Sequence, residues 1–168
     1  MKIILIGMPG SGKSTLGRVL AKMLQYQFID LDERIEAHEG KTIAEIFAAY
    51  GEEYFRNTER KILNSALQES NAIISTGGGA PCFFDNMEQI KSGGTSIYLN
   101  VSIEALLSRL NAGKATRPML SEKSDEELRL FLDLKLKERA PFYEQADYIF
   151  TGDATRAEDI LAKINILP

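Results

Sequence analysis

Short apolar runs alternate along this chain with stretches whose apolar positions recur every three or four residues. The runs at Lys2–Ile6, Gln27–Asp30, 72–76, 95–99 and Tyr148–Thr151 predict five β-strands. Runs so uniformly apolar belong in a parallel sheet buried on both faces. Leu16, Val19, Leu20, Met23 and Leu24 share one face of a first helix. Capping boxes of the form S/T-x-x-E at Thr42/Glu45, Ser124/Glu127 and Thr155/Glu158 open three more. Ile43, Ile46 and Phe47 stripe the first of these, and Ile62, Leu63, Ala66 and Leu67 stripe a longer helix after it. Alternating strands and helices predict a three-layer α/β/α fold. Ligands in such folds sit at the carboxyl ends of the strands.

The first strand runs directly into Gly7-Met8-Pro9-Gly10-Ser11-Gly12-Lys13-Ser14-Thr15, a G-x-x-x-x-G-K-[ST] loop followed by a helix. Glycines permit backbone angles and close approaches that a Cβ blocks, so successive N–H groups can turn around an anion. The positive end of the helix dipole faces the same place. Lys13, expected as an accessible side chain, can reach the terminal phosphates, and the Ser14 hydroxyl can ligate Mg²⁺. The loop predicts nucleotide binding.

Composition narrows the frame. A length of 168 residues suits one domain. A formal net charge of −4 argues against a general nucleic-acid binder. Cys82 is the sole cysteine, which rules out an intrachain disulfide and fits a reducing cytosol. No apolar stretch approaches membrane-spanning length, and nothing resembles a targeting signal.

Further chemistry falls near the predicted strand ends. Asp30-Leu31-Asp32 closes the second strand, and extended alternation puts both carboxylates on one side. Asp30 is then the Mg²⁺ partner, through water, because this ion dehydrates reluctantly. Asp32 either accepts a hydrogen bond from a hydroxyl acceptor or caps the helix at Glu33-Arg34-Ile35. Gly77-Gly78-Gly79 follows the third strand, and a ligand or a tight turn requires its bare backbone. Arg56 near a helix start is misplaced for the dipole. Pro141 is expected to break the helix carrying Arg139, and Arg117 precedes Pro118 in a polar loop. Each arginine alone reads as a solvated surface residue more readily than as a ligand.

Taken in order, the P-loop, Asp30-x-Asp32, Phe55-Arg56-x-x-Glu59, Gly77-Gly78-Gly79, Arg117-Pro118 and Arg139-x-Pro141-x-Tyr143 resemble the shikimate kinases nearly end to end. The resemblance implies a P-loop NTPase fold with a five-stranded parallel sheet and a mobile lid, similar to nucleoside monophosphate kinases. It implies one domain over 1–168: core 1–31 and 71–110, substrate-binding region 32–70, lid 111–123 and C-terminal part 124–168. The implied reaction moves the γ-phosphoryl group of MgATP to the 3-hydroxyl of shikimate, toward chorismate and the aromatic amino acids. Gly10, Ser11, Gly12, Lys13, Ser14 and Thr15 then hold the ATP phosphates, with Ser14 on Mg²⁺. Asp32 and the backbone of Gly78 and Gly79 meet the ring hydroxyls, while Arg56 and Arg139 hold the carboxylate. Arg117 is the lid arginine over the phosphates, and Arg156 lies near the adenine. Lys13, Asp32 and Arg117 form the implied catalytic set.

Residue chemistry agrees independently. Arginine's planar fork matches a carboxylate in a bidentate way that lysine cannot. Phosphoryl transfer asks mainly for positioning and charge neutralisation. The expected partners are shikimate and ATP, with no nucleic acid and no membrane, for a cytoplasmic monomer. Met119 stands after Arg117-Pro118 where leucine is more usual, a volume-conserving change. His38 is expected on a solvated helix face and Cys82 in a small loop site. Gluconate and nucleoside monophosphate kinases are the rival enzymes. A non-catalytic nucleotide-binding module is the rival of another class, and would be expected to lack Lys13, Asp32 or Arg117.

Overall fold

In the computed structural model, which describes residues 1–112 and 124–165, the apolar runs form one parallel sheet. Its strands are β1 (Lys2–Ile6), β2 (Gln27–Asp30), β3 (Ala72–Ser75), β4 (Thr95–Asn100) and β5 (Tyr148–Thr151), in the order β2-β3-β1-β4-β5. Relative to the sequence reading, β3 stops one residue earlier and β4 runs one further. Every neighbouring pair is parallel, with Ile3 opposite Ile73 and Thr95. Parallel neighbours need crossovers. Helices α1 (Lys13–Leu24), α2 (Leu31–Glu39), α3 (Ile43–Ala66), α4 (Asn86–Gly93), α5 (Ile103–Ala112) and α6 (Asp125–Tyr143) supply them, and α7 (Ala157–Lys163) follows β5.

The strand period of two divides the core. Ile3 and Leu5 face a cluster with Leu20 of α1 and Ile160 of α7. Ile4 and Ile6 face the larger cluster built from α2 to α6, including Ile35, Leu63, Leu106 and Leu132. Each fully buried isoleucine contributes about 1.5–3 kcal/mol. Burial on both faces holds for β1, β3 and β4, whereas β2 and β5 are edge strands with partly exposed residues. Val19 does not join the α1 core stripe and is 45% exposed; Gly17 is buried instead, because Phe28 packs where its Cβ would sit.

Local signals set most helix ends. Thr42 Oγ1 accepts from Glu45 N at 3.2 Å while Glu45 Oε2 accepts from Thr42 N at 2.7 Å. Ser124 and Glu127 make the same reciprocal pair at 3.2 and 2.8 Å. The third box moves by one residue. Arg156 N donates to Asp159 Oδ2 at 3.2 Å, and Glu158 is drawn to the Arg156 guanidinium instead. Gly51, at φ 78 and ψ 176, kinks α3 between its two apolar stripes. Pro141 does not break α6, which continues to Tyr143. A proline this close to the helix end forfeits little, and the fully buried Tyr143 anchors the last turn. Of the span expected to be a lid, 111 and 112 finish α5; residues 113–123, Arg117 among them, lie outside the described residues. No helix among the described residues is long and apolar enough to cross a membrane.

Candidate active site

At the carboxyl end of β1 the chain turns through Gly7, Gly10 and Gly12, whose φ values of 143, 83 and 94 open the loop to its bare-backbone path. Gly12 is the N-cap of α1, and no acidic residue in the first turn offsets the positive helix end. Lys13 departs from the accessible side chain expected of it, being only 7% exposed. The loop curls over its stem, and Nζ donates to the carbonyls of Gly7 and Met8 at 2.9 Å each. The ammonium is thereby held against the loop and lines the cleft.

Ser14 Oγ donates to Asp30 Oδ2 at 2.6 Å and lies 3.2 Å from Ser75 Oγ. These hard oxygens at one point suit Mg²⁺, which takes few protein ligands and keeps waters and phosphate oxygens around it. Asp30 and Asp32 do not share an extended strand as expected. β2 ends at Asp30 and α2 begins at Leu31, because Asp30 itself is the cap: its Oδ1 accepts from Asp32 N and Glu33 N at 3.1 and 3.4 Å. The cap reading of Asp32 is therefore wrong, and its carboxylate lines the cleft.

The three glycines are bare because side chains crowd them, and none of them has a positive φ. A Cβ on Gly77 would lie 2.7 Å from Asp32 Oδ1; on Gly78, 3.0 Å from Arg139 Nη1; on Gly79, 2.8 Å from both terminal nitrogens of Arg56. One turn thus gathers Asp32, Arg56 and Arg139, which are distant in sequence. Arg56 lies against Gly79 at the edge of the main cleft lining, stacked 4.0 Å over Phe83 and paired to Glu59 at 2.7 Å. Glu59, 1% exposed, had no assigned role in the sequence reading, although its i,i+3 spacing from Arg56 was a signal. Burial pushes the Glu59 carboxyl up, against the pull of Arg56 and Arg139. Burial, then the Asp30 charge, raises Asp32, while Lys13 on one side and Arg56 on the other oppose the shift. Asp32 therefore stands between the phosphate loop and the arginine turn.

The cleft, of 1620 Å³, exceeds the roughly 300–1,000 Å³ of a single small-ligand pocket and has room for two substrates. Its far end is lined by Asp153 and Arg156, the latter largely exposed beside Glu158. Sequence reasoning missed Arg109 there. Its guanidinium donates to Gly10 O at 3.1 Å and to Asp153 O, tying the phosphate loop to the β5–α7 turn. His38 is exposed on α2, as expected. Cys82 is half-buried in the short 3₁₀ turn Ala80–Cys82 after the glycines, and burial pushes its thiol up to about 11. Among the described residues no cluster of three or more His, Cys, Asp or Glu side chains could hold a metal.

With this geometry in hand, comparison with known proteins is informative. A family model described as shikimate kinase matches residues 9–166. The shikimate kinase of Parabacteroides distasonis is 46% identical over 157 residues, covering 94% of this chain and 91% of that protein. That of Clostridium botulinum is 47% identical over 163 residues, covering 96% and 92%. The crystal structure of the Bacteroides thetaiotaomicron shikimate kinase superposes with a TM-score of 0.95 at 41% identity, covering 99% of both chains. The Acinetobacter baumannii shikimate kinase, solved in complex with shikimate, gives 0.86 at 36% identity, over 98% of this chain and 90% of that one.

Proposed function

The chain belongs to the shikimate kinase family, and from that premise we propose how its residues divide the work. The reaction transfers the γ-phosphoryl group of ATP to the 3-hydroxyl of shikimate, giving shikimate 3-phosphate and ADP. Gly10, Ser11, Gly12, Lys13, Ser14 and Thr15 hold the phosphates of ATP, and Arg156 flanks its adenine. Lys13 and Arg117 neutralise charge on the transferring group. Ser14 and Asp30 would hold Mg²⁺, which would neutralise charge on the phosphate oxygens. Asp32 accepts the hydrogen bond of the reacting hydroxyl and orients it toward the loop that carries Lys13. Arg56 and Arg139 take the carboxylate, and the Gly78 and Gly79 backbone meets the remaining hydroxyls. The protein works as a cytoplasmic monomer without nucleic-acid or membrane partners, as a single domain.

The observation that carries this reading is the convergence of Asp32, Arg56 and Arg139 on one glycine turn beside the phosphate loop. Two arginines for a carboxylate and one carboxylate for a hydroxyl suit a small acid bearing hydroxyls. ADP release measured with shikimate, gluconate and nucleoside monophosphates tests it. Turnover is expected with shikimate alone; preference for gluconate or a nucleotide would reassign the acceptor.

A further inference from the structure

Tyr143 is fully buried, and its hydroxyl meets the site at the Gly78 carbonyl, the Met8 sulfur and the Arg139 side chain. It donates to the carbonyl of Gly78 at 2.5 Å, and its oxygen lies 3.8 Å from the Met8 sulfur of the phosphate loop. Its ring packs against Tyr98 with centroids 5.0 Å apart, so the hydroxyl has little freedom to move. The chain has no cis peptide bond among the described residues. In a trans peptide the N–H of Gly79 points opposite to the Gly78 carbonyl. Fixing that carbonyl toward Tyr143 aims the Gly79 N–H away from the ring. Gly79 is buried, and among the described residues no acceptor takes its N–H. Buried amides are almost always paired, so this donor is left for a ligand or a water to take. From the loop side, Pro9 Cδ lies 2.7 Å from where a Gly78 Cβ would be, so the phosphate loop packs directly on this turn.

We propose that Tyr143 is a positioning residue for the acceptor: its hydroxyl locks the Gly78–Gly79 peptide plane so that the Gly79 N–H is presented to a shikimate hydroxyl. This rests on the assignment of the glycine turn to the acceptor. It gives Tyr143 a role in shikimate recognition apart from its packing, exerted without touching the substrate.

Tyr143→Phe keeps the ring and removes the hydroxyl, with its bond to Gly78 and its contact with Arg139; the Gly79 amide resonance separates the two routes. The KM for shikimate is expected to rise about five- to tenfold, the scale of one neutral hydrogen bond. The KM for ATP stays within about twofold, because uniform loss on the acceptor side leaves nucleotide binding alone. Replacing Tyr143 by 4-aminophenylalanine restores a donor and is expected to recover most of the shikimate affinity. In the unaltered chain the Gly79 amide resonance is expected to shift on adding shikimate and to stay in place with ADP alone. A lower melting temperature with unchanged kinetic constants would overturn the proposal, as would equal rises in both KM values, no rescue by the amino analogue, or a Gly79 amide indifferent to shikimate. Wild-type chain that turns over no shikimate sinks the proposed function and this inference together. Wild-type turnover with a kinetically silent Tyr143→Phe sinks this inference alone.

Discussion

At the scale of single residues, charge and geometry assign different losses to different substitutions. Lys13 contacts the loop through two carbonyls and faces the cleft, so it has two tasks. Lys13→Ala is expected to slow turnover by about a hundredfold or more, as when one oxyanion contact is lost. It also leaves the Gly7 and Met8 carbonyls without their charged donor, for about 1–3 kcal/mol of stability in urea denaturation. Near-normal ADP release would remove Lys13 from the chemistry. Arg56 and Arg139 stand on adjacent glycines, and both are proposed to take one carboxylate. Exchanging either for lysine keeps the charge and loses the fork; shikimate binding is expected to weaken by about 1.5–3 kcal/mol. The double variant loses less than the sum, since the partners share one carboxylate. Calorimetric titration decides this, and an equal loss of ATP affinity would place these arginines elsewhere. The P-loop was readable at this scale because every element of its mechanism is contiguous in sequence. The burial of Lys13 was not, since it depends on how the loop curls over the stem.

At the scale of elements, the capping boxes at Thr42 and Ser124 were legible because a cap is a contact within four residues. The start of α2 was misread for the same local reason in reverse: two aspartates two residues apart compete for one cap, and only the folded backbone shows that Asp30 wins. Helix α3 carries the more consequential break. Gly51 holds φ 78 and ψ 176, a region essentially reserved for glycine, and this kink aims the segment bearing Arg56 and Glu59 at the glycine turn. No neighbour lies within 4 Å of a Cβ at this position, so the cost of Gly51→Ala is backbone strain and not a clash. The expected loss is about 1–3 kcal/mol in denaturation. Relief of that strain by straightening the helix would swing Arg56 off Gly79, so shikimate affinity is expected to fall while ATP affinity holds. Unchanged stability and unchanged shikimate binding would show that the kink has no such role.

At the scale of the whole molecule, five strands, their parallel pairing and the layering of helices follow from apolar runs too short to be anything else. What the sequence could not display is which distant residues meet. Asp32, Glu59, Arg56 and Arg139 come from α2, α3 and α6, and their meeting at residues 77–79 is a property of the sheet order that brings β2 and β3 side by side. That gathering has a cost in stability. Burial raises the Asp32 carboxyl above its ordinary value of 3.8, so the folded chain holds this proton more tightly than the unfolded chain does. Stability from this group is therefore present at low pH, is lost as pH rises through the raised folded value, and stays lost at neutrality. Surface carboxylates held low by partners, such as Glu104 beside Arg129 and Asp153 beside Ser102, shift stability the other way. The two trends separate only in a comparison of variants. Asp32→Asn keeps the shape and removes the titration. Its melting temperature is expected to exceed that of the wild type by about 2–4 °C at neutral pH, what 1 kcal/mol produces in a domain of this size. The advantage shrinks toward zero as the pH is lowered and Asp32 protonates. Turnover is expected to run opposite: the variant loses most activity at every pH, and the wild type loses it as acidification neutralises the carboxylate proposed to orient the acceptor hydroxyl. Paired thermal melts and initial rates across the acid range test both halves. An asparagine variant that is less stable than the wild type at neutral pH would mean that the Asp32 charge is stabilised by Lys13 and Arg56 more than burial penalises it.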